Sequence, residues 1–211
     1  MKIDIITIFP KQVSSFLSEG IFRISREKGI EVMAHDLRLW ASGTQRKVDD
    51  RPFGGGPGMV MKVEPVYRAV SDLRSDDSTV ILTSPRGTML TAPLAQGLAK
   101  ENHVLIICGH YEGVDERVRQ HIADMDISIG EYVLSGGELP ALVITDALLR
   151  HVSGVLGNPA SLTEESFEGD IGGEYPHYTR PETFRGWSVP GELLSGNHET
   201  IRRWRKNSIS T

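Results

Sequence analysis

Short apolar runs recur along the chain, separated by segments whose apolar residues fall at helical spacing. Lys2 to Ile8 is β-branched and nearly continuous, as a parallel strand buried on both faces would be. From Gln12 to Lys28, Val13, Phe16, Leu17, Ile21 and Ile24 predict one amphipathic helix. The same reading gives strands at Ile30–Met33, Val80–Thr83, Val104–Cys108 and Asp126–Ile129. Helices are predicted at Pro65–Leu73, Ala92–Lys100, Val114–Ala123 and Leu139–His151. Strand and helix alternate, which predicts an α/β fold with a mostly parallel sheet covered by helices on both faces. From Val152 to Trp187 the periodicity stops in a stretch rich in Gly, Pro, Ser and acids, the composition of a functional loop or linker. A last helix is expected over Asn197–Lys206, with Ile201 and Trp204 one turn apart for docking and Arg202, Arg203, Arg205 and Lys206 as its charges. A segment this short must pack on something, either the rest of the chain or a second copy.

Composition narrows the class. The 211 residues suit one ordinary domain with an appendage. Glycine, at 22 residues, exceeds its usual share of about 7% and favours ligand loops. A net charge of −5 excludes a generic polyanion binder, so nucleic acid would need a local basic patch. Cys108 is the only cysteine, which excludes an internal disulfide and a cysteine-built zinc site and fits a reducing cytoplasm. Asp4 interrupts the first apolar run and no small-residue cleavage site follows, so a strand is expected there, not a signal peptide. No apolar run approaches a membrane span. A soluble cytoplasmic protein is expected.

Three glycine-bearing segments follow apolar strand-like runs: LTSPRG (82–87), ICGHYEGVDERV (107–118) and IGEYVLSGGELP (129–140). Glycine weakens a strand interior, so such residues point to sharp bends or to backbone that approaches a ligand closely. Three of them at the ends of three strands describe one crevice, where open α/β sheets bind ligands. A fourth segment, GGGPG (54–58), can aim backbone N–H groups at an anion or a base, or form a surface loop. Arg46, Lys47 and Arg51 beside it favour RNA phosphates. It lacks the lysine and hydroxyl of a Walker loop, and no G-x-G-x-x-G opens a helix. His110, His177 and His198 lie in unrelated segments without metal-ligand spacing, so no metal site is predicted.

These segments, with RPFGGGPGMVMK (51–62), GVLGN (154–158), YPHYTRPE (175–182) and LLSGNHETIRRWR (193–205), run in order along nearly the whole chain. Together they resemble the bacterial tRNA (guanine-N1)-methyltransferases, members of the SPOUT class of S-adenosylmethionine-dependent RNA methyltransferases. The resemblance implies a trefoil-knotted cofactor site and an obligate homodimer whose active sites are shared between chains. It divides the chain into a knotted catalytic domain (1–158), a flexible interdomain linker (159–187) and a short C-terminal helical tRNA-binding segment (188–211). The cofactor, S-adenosylmethionine, is carried onto Leu82, Ser84, Pro85, Gly87, Gly109, Tyr111, Glu112, Gly113, Ile129, Gly130, Glu131, Tyr132, Val133, Leu134, Gly136, Gly137 and Pro140. Magnesium is associated with the family, but no residue here is assigned to it. Family members continue past the IRRWR helix, whereas this sequence ends at Thr211.

Methylating N1 of guanine requires loss of the N1 proton, which a carboxylate in hydrogen-bond reach can take. A cation at O6 would stabilise the charge that develops there. The resemblance assigns these roles to Glu165, where the family carries aspartate, and to Arg150, with Glu164 adjoining the former. Tyr178 and Arg180 would contact RNA or anchor the linker. The expected substrate is the guanosine at position 37, 3′ of the anticodon, so the expected partner is the tRNA anticodon loop. Two other classes stay open on the residues alone: a nucleotide hydrolase using GGGPG, and a non-catalytic RNA-binding protein.

Overall fold

The computed structural model describes residues 1–156 and 175–209. Two compact units divide at residue 157, Met1–Gly157 and Asn158–Thr211. In the first, five strands form a parallel sheet in the order β2-β1-β6-β5-β7: β1 (Lys2–Thr7), β2 (Glu31–Asp36), β5 (Ser78–Met89), β6 (His103–Ile107) and β7 (Met125–Ser128). A short antiparallel pair, β3 (Asp49–Asp50) and β4 (Val60–Met61), stands apart.

The sheet is covered on both faces, as the alternation of elements predicted. Ile3, Ile5, Ile81, Val104, Ile106 and Ile127 point to one face and pack against α1 (Pro10–Phe16), α2 (Gly20–Glu27), α4 (Ala92–Leu98) and α6 (Glu138–Leu149). Ile6, Val80, Leu82, Leu105 and Ile107 point to the other, against α3 (Val63–Leu73), α5 (Glu116–His121) and the 3-10 turn Leu37–Trp40. The period-two exchange of faces turns each continuous apolar run into two half-cores.

Several boundaries differ from the sequence-based expectation, each for a local reason. The single helix expected over Gln12–Lys28 is two, because Glu19 is extended and Gly20 has φ +57°. Helix α5 begins at Glu116 and not at Val114, because Val114 is committed to a bridge with Met61 and Asp115 caps the helix by accepting from the Arg117 N–H. Strand β5 runs past the expected Thr83: Thr83 and Thr88 both oppose Ile127, so the four residues Ser84–Gly87 loop out of the ladder as an irregular bulge.

A polar cluster is built on Asp4 in β1, His35 in β2 and His103 at the start of β6. The buried Asp4 carboxylate accepts from His103 Nε2 (2.8 Å) and His35 Nε2 (2.7 Å) and pairs with Lys2 Nζ (2.7 Å). On the other side of the ring, His103 Nδ1 and the Ser78 hydroxyl share a hydrogen bond of 2.7 Å.

The described part of the second unit contains a hairpin, β8 (Thr183–Phe184) with β9 (Trp187–Ser188), a short helix Gly191–Leu194 and the helix His198–Asn207. The last is capped by Asn197, whose side chain accepts from the N–H groups of Glu199 and Thr200. Ile201 and Trp204 are half-buried on it. Among the described residues no helix is long and apolar enough to cross a membrane.

Candidate active site

The three glycine-bearing segments meet where β5 bulges, at Ser84–Gly87, and where β6 and β7 end. Their junction is Thr83, whose hydroxyl donates to the Ile107 carbonyl (3.1 Å) and accepts from the Gly109 N–H (3.1 Å). The Gly137 N–H donates to the Gly109 carbonyl at 2.7 Å, and His110 bridges Gly136. Gly137 is a glycine because of this crossing: a Cβ there would run into Thr83 Oγ1 and stand 2.7 Å from the Gly109 nitrogen. Its neighbour Glu138 opens α6, buried and favourably placed for the helix dipole. Thr7 donates to its Oε1 at 2.7 Å, tying the end of β1 to the start of α6 across 131 positions.

The loop after β6 is clamped a second time, by β4. The Glu112 N–H donates to the Met59 carbonyl (3.0 Å), Met61 N–H to Gly113 (2.9 Å) and Asp115 N–H to Met61 (3.0 Å). This seats GGGPG beside the crevice, with Gly58 against the Glu112 side chain. Tyr111 is held at φ +62°, a conformation disfavoured for a bulky residue, by these pairings. Burial, then the nearby Asp49 carboxylate, push its phenol pKa up, so it is a neutral hydrogen-bonding group at physiological pH.

Around the junction lies a cavity of about 560 Å³. Every residue assigned to the cofactor from sequence lines it except Gly87 and Glu131. Gly87 instead backs onto β7, where a Cβ would come within 2.6 Å of the Asp126 carbonyl carbon. Close strand contact is by itself sufficient reason for a glycine there. Glu131 lies in the same loop as its lining neighbours Gly130 and Tyr132 without reaching the wall.

The wall also includes Val60, Thr83, Arg86, His110, Ser128 and Ser135, which were not assigned from sequence. Thr83, His110 and Ser135 sit inside segments already singled out, so the glycine signal could have found them. Val60 lies in RPFGGGPGMVMK, also singled out, but its place on the wall comes from pairing with distant Tyr111, which leaves no local pattern. At one side Glu116 bridges Arg86 (3.1 Å) and Arg119 (3.2 Å), and Arg119 reaches Asp126 (3.0 Å). Hydrogen bonds from Arg119, then Arg86, hold the Glu116 carboxyl below its ordinary pKa.

Leu82, Pro85, Ile129, Leu134 and Pro140 offer apolar contact, and the crossing loops offer main-chain groups, the lining of a small-molecule site. Cys108 at the base is buried, and burial, then the Glu138 carboxylate, push its thiol pKa well up, leaving it un-ionised. Among the described residues no group of three or more His, Cys, Asp or Glu side chains is placed to hold a metal ion.

Arg150 is the C-cap of α6, donating its N–H to the Asp146 carbonyl at 3.2 Å. Burial raises the Asp146 carboxyl pKa, and the Arg150 charge opposes that rise. Pro140, on the cavity wall, is ten residues earlier on the same helix, so about 15 Å separate them along its axis at 1.5 Å per residue. Glu164 and Glu165 lie outside the described residues. Tyr178 packs edge-on against Trp204, ring centroids 6.1 Å apart, as an anchor of its segment.

A family profile described as tRNA (guanine-1)-methyltransferase TrmD matches residues 1–211. The tRNA (guanine-N(1)-)-methyltransferase of Dictyoglomus turgidum is 52% identical over 207 residues, covering 98% of this chain and 84% of the relative. That of Moorella thermoacetica is 52% identical over 211 residues, with the same coverage. The protein of the same name from Protochlamydia amoebophila is 47% identical over 206 residues, covering 97% of this chain and 92% of the relative. With the family's match running from end to end and close relatives sharing about half of all residues, the chain belongs to the tRNA (guanine-1)-methyltransferase family.

Proposed function

We propose that this chain transfers a methyl group from S-adenosylmethionine to N1 of guanine in tRNA, at position 37 on the 3′ side of the anticodon, in the cytoplasm. The observation that carries the proposal is the crossing of the three glycine-bearing segments around one apolar-walled cavity. Membership of the family supports the reaction and its tRNA substrate.

When bound, S-adenosylmethionine supplies the methyl group as an electrophile on sulfur. The chain does the rest. Main-chain groups of the crossed loops recognise the nucleoside edge, and Leu82, Ile129 and Leu134 keep water from the pocket. Glu165 takes the guanine N1 proton and exposes the attacking lone pair. Arg150 faces O6 and stabilises the charge that builds there. The GGGPG loop, seated on Glu112, borders the space the base would enter.

Arg150 and the cavity lie near opposite ends of α6. That separation favours a site built from the cavity of one protomer and the Arg150 of another, hence a symmetric homodimer. Leu139 and Val143, 46% and 44% exposed on an otherwise buried apolar helix, would be covered in it. The trefoil threading of the family belongs to the same proposal.

The direct test incubates the protein with labelled S-adenosylmethionine and an unmodified tRNA transcript, then maps the methylated nucleoside. Label in 1-methylguanosine at position 37 is expected. Label at another base would overturn the substrate assignment, and tRNA binding without label would favour a non-catalytic RNA-binding protein.

A further inference from the structure

We propose that the hairpin Thr183–Ser188 is a stacking platform for an unpaired base of the tRNA, with Phe184 and Trp187 as its rings and Arg185 as its phosphate partner; this rests on the tRNA substrate proposed above. Arg185 (φ +53°) and Gly186 (φ +86°) form the two-residue turn, both at positive φ as a type I′ hairpin requires. The pairing sets Phe184 directly opposite Trp187 and Thr183 opposite Ser188. Successive side chains alternate between faces, so the two rings share one face of the ribbon. The hydroxyls of Thr183 and Ser188 meet on the other at 3.2 Å.

The rings do not satisfy each other. Their centroids are 6.0 Å apart and their planes 57° apart, and they remain 55% and 72% exposed. Two large aromatic side chains left side by side on an otherwise polar ribbon mark an interaction surface.

Charge selects the occupant. The whole chain carries −5, yet residues 175–209 hold six basic and three acidic side chains. Arg185 places its guanidinium 5.6 Å from the centre of the Phe184 ring. Phe, Trp and Arg also recur at protein-protein contacts, but the twofold excess of basic over acidic side chains around the rings favours an anionic partner, and aromatic faces interleaved with arginine suit unstacked bases and their phosphates. Any base presents a π-face, so the platform would grip without reading sequence.

The test measures binding of the full chain to an unmodified tRNA transcript as salt is varied, with thermal unfolding recorded for each variant. Trp187→Ala should weaken binding by about 10- to 100-fold, and Trp187→Phe should restore most of it. Arg185→Ala should lower the slope of log affinity against log salt by about one. Equal affinity in wild type, Trp187→Ala and Phe184→Ala would overturn the platform. It is also overturned if the Trp187→Ala defect tracks loss of a dimer by light scattering and disappears where the dimer is restored, since the surface then joins two copies. Should Trp187→Ala fail to fold, an unchanged salt slope in Arg185→Ala with full affinity in Phe184→Ala overturns it. Wild-type protein that binds no tRNA removes the substrate proposal itself, a result distinct from wild-type binding that the variants leave intact.

Discussion

Asp4 carries an ionic load inside the sheet. Burial alone would raise its pKa, but hydrogen bonds from His35, Lys2 and His103 overcome that and lower it from 3.8 to about 2. A depressed folded pKa stabilises the protein above the unfolded value, and the stabilisation is lost as pH falls from about 4 to about 2. At 1.36 kcal/mol per unit, the contribution at neutral pH is about 2 kcal/mol. Asp4→Asn should therefore lower urea stability at pH 7 by about that much and flatten the acid limb between pH 4 and 2. An unaltered acid limb would assign it to other carboxylates. Catalysis at the residue scale is tested at Glu165: Glu165→Gln should cost about 10²–10⁴ in single-turnover methyl transfer. Glu164→Gln should cost far less, because neighbours in extended chain point to opposite sides. The reverse pattern would shift the base by one residue; no effect at either would end the proposed mechanism.

Among elements, the crossing of the three segments at Thr83, Gly109 and Gly137 matters most. A methyl at Gly137 has no room, and overpacking of that kind costs about 1–3 kcal/mol. Gly137→Ala should therefore lower the midpoint of unfolding by about 2–10 °C and weaken S-adenosylhomocysteine binding. Gly97, in α4 with open space around its Cβ position, is the control. Gly97→Ala should raise stability by about 0.5–1 kcal/mol, since it removes only unfolded-state freedom. Calorimetry on both variants checks the pair. Equal behaviour would mean that the crossing tolerates a side chain and that its glycine has another cause.

The whole-molecule prediction concerns assembly. A site shared between protomers requires a stable dimer, so light scattering should give twice the 23.3 kDa chain mass. Arg150→Ala and Gly137→Val should each be inactive alone. Mixed in equal amounts with subunit exchange, half the dimers pair one chain of each kind and hold one intact site. Recovery of about a quarter of wild-type activity is then expected. No recovery, with exchange verified by mass, would place Arg150 and the cavity in the same chain.

How much of this was legible beforehand follows from the range of the interactions. Continuous apolar runs such as Val104–Ile107 and the helical spacing of α3 and α6 are local, so a parallel sheet covered on both faces is readable along the chain. Glycines clustered after apolar runs also marked the three segments that line the cavity. Tertiary structure alone decided what depends on residues far apart in sequence. Strand β4 exists through pairing with Tyr111 and Val114 as well as β3, so it leaves no signal in its own residues. The LTSPRG segment looks like a loop, and only opposition to Ile127 turns it into a bulge within one long strand and brings Gly87 against the β7 backbone. Asp4 reads as a flaw in an apolar run until folding brings His35 and His103, 31 and 99 positions away, within hydrogen-bond reach. A pattern along the chain reports which faces are buried; which groups meet there depends on the register of neighbouring strands, which no single segment encodes.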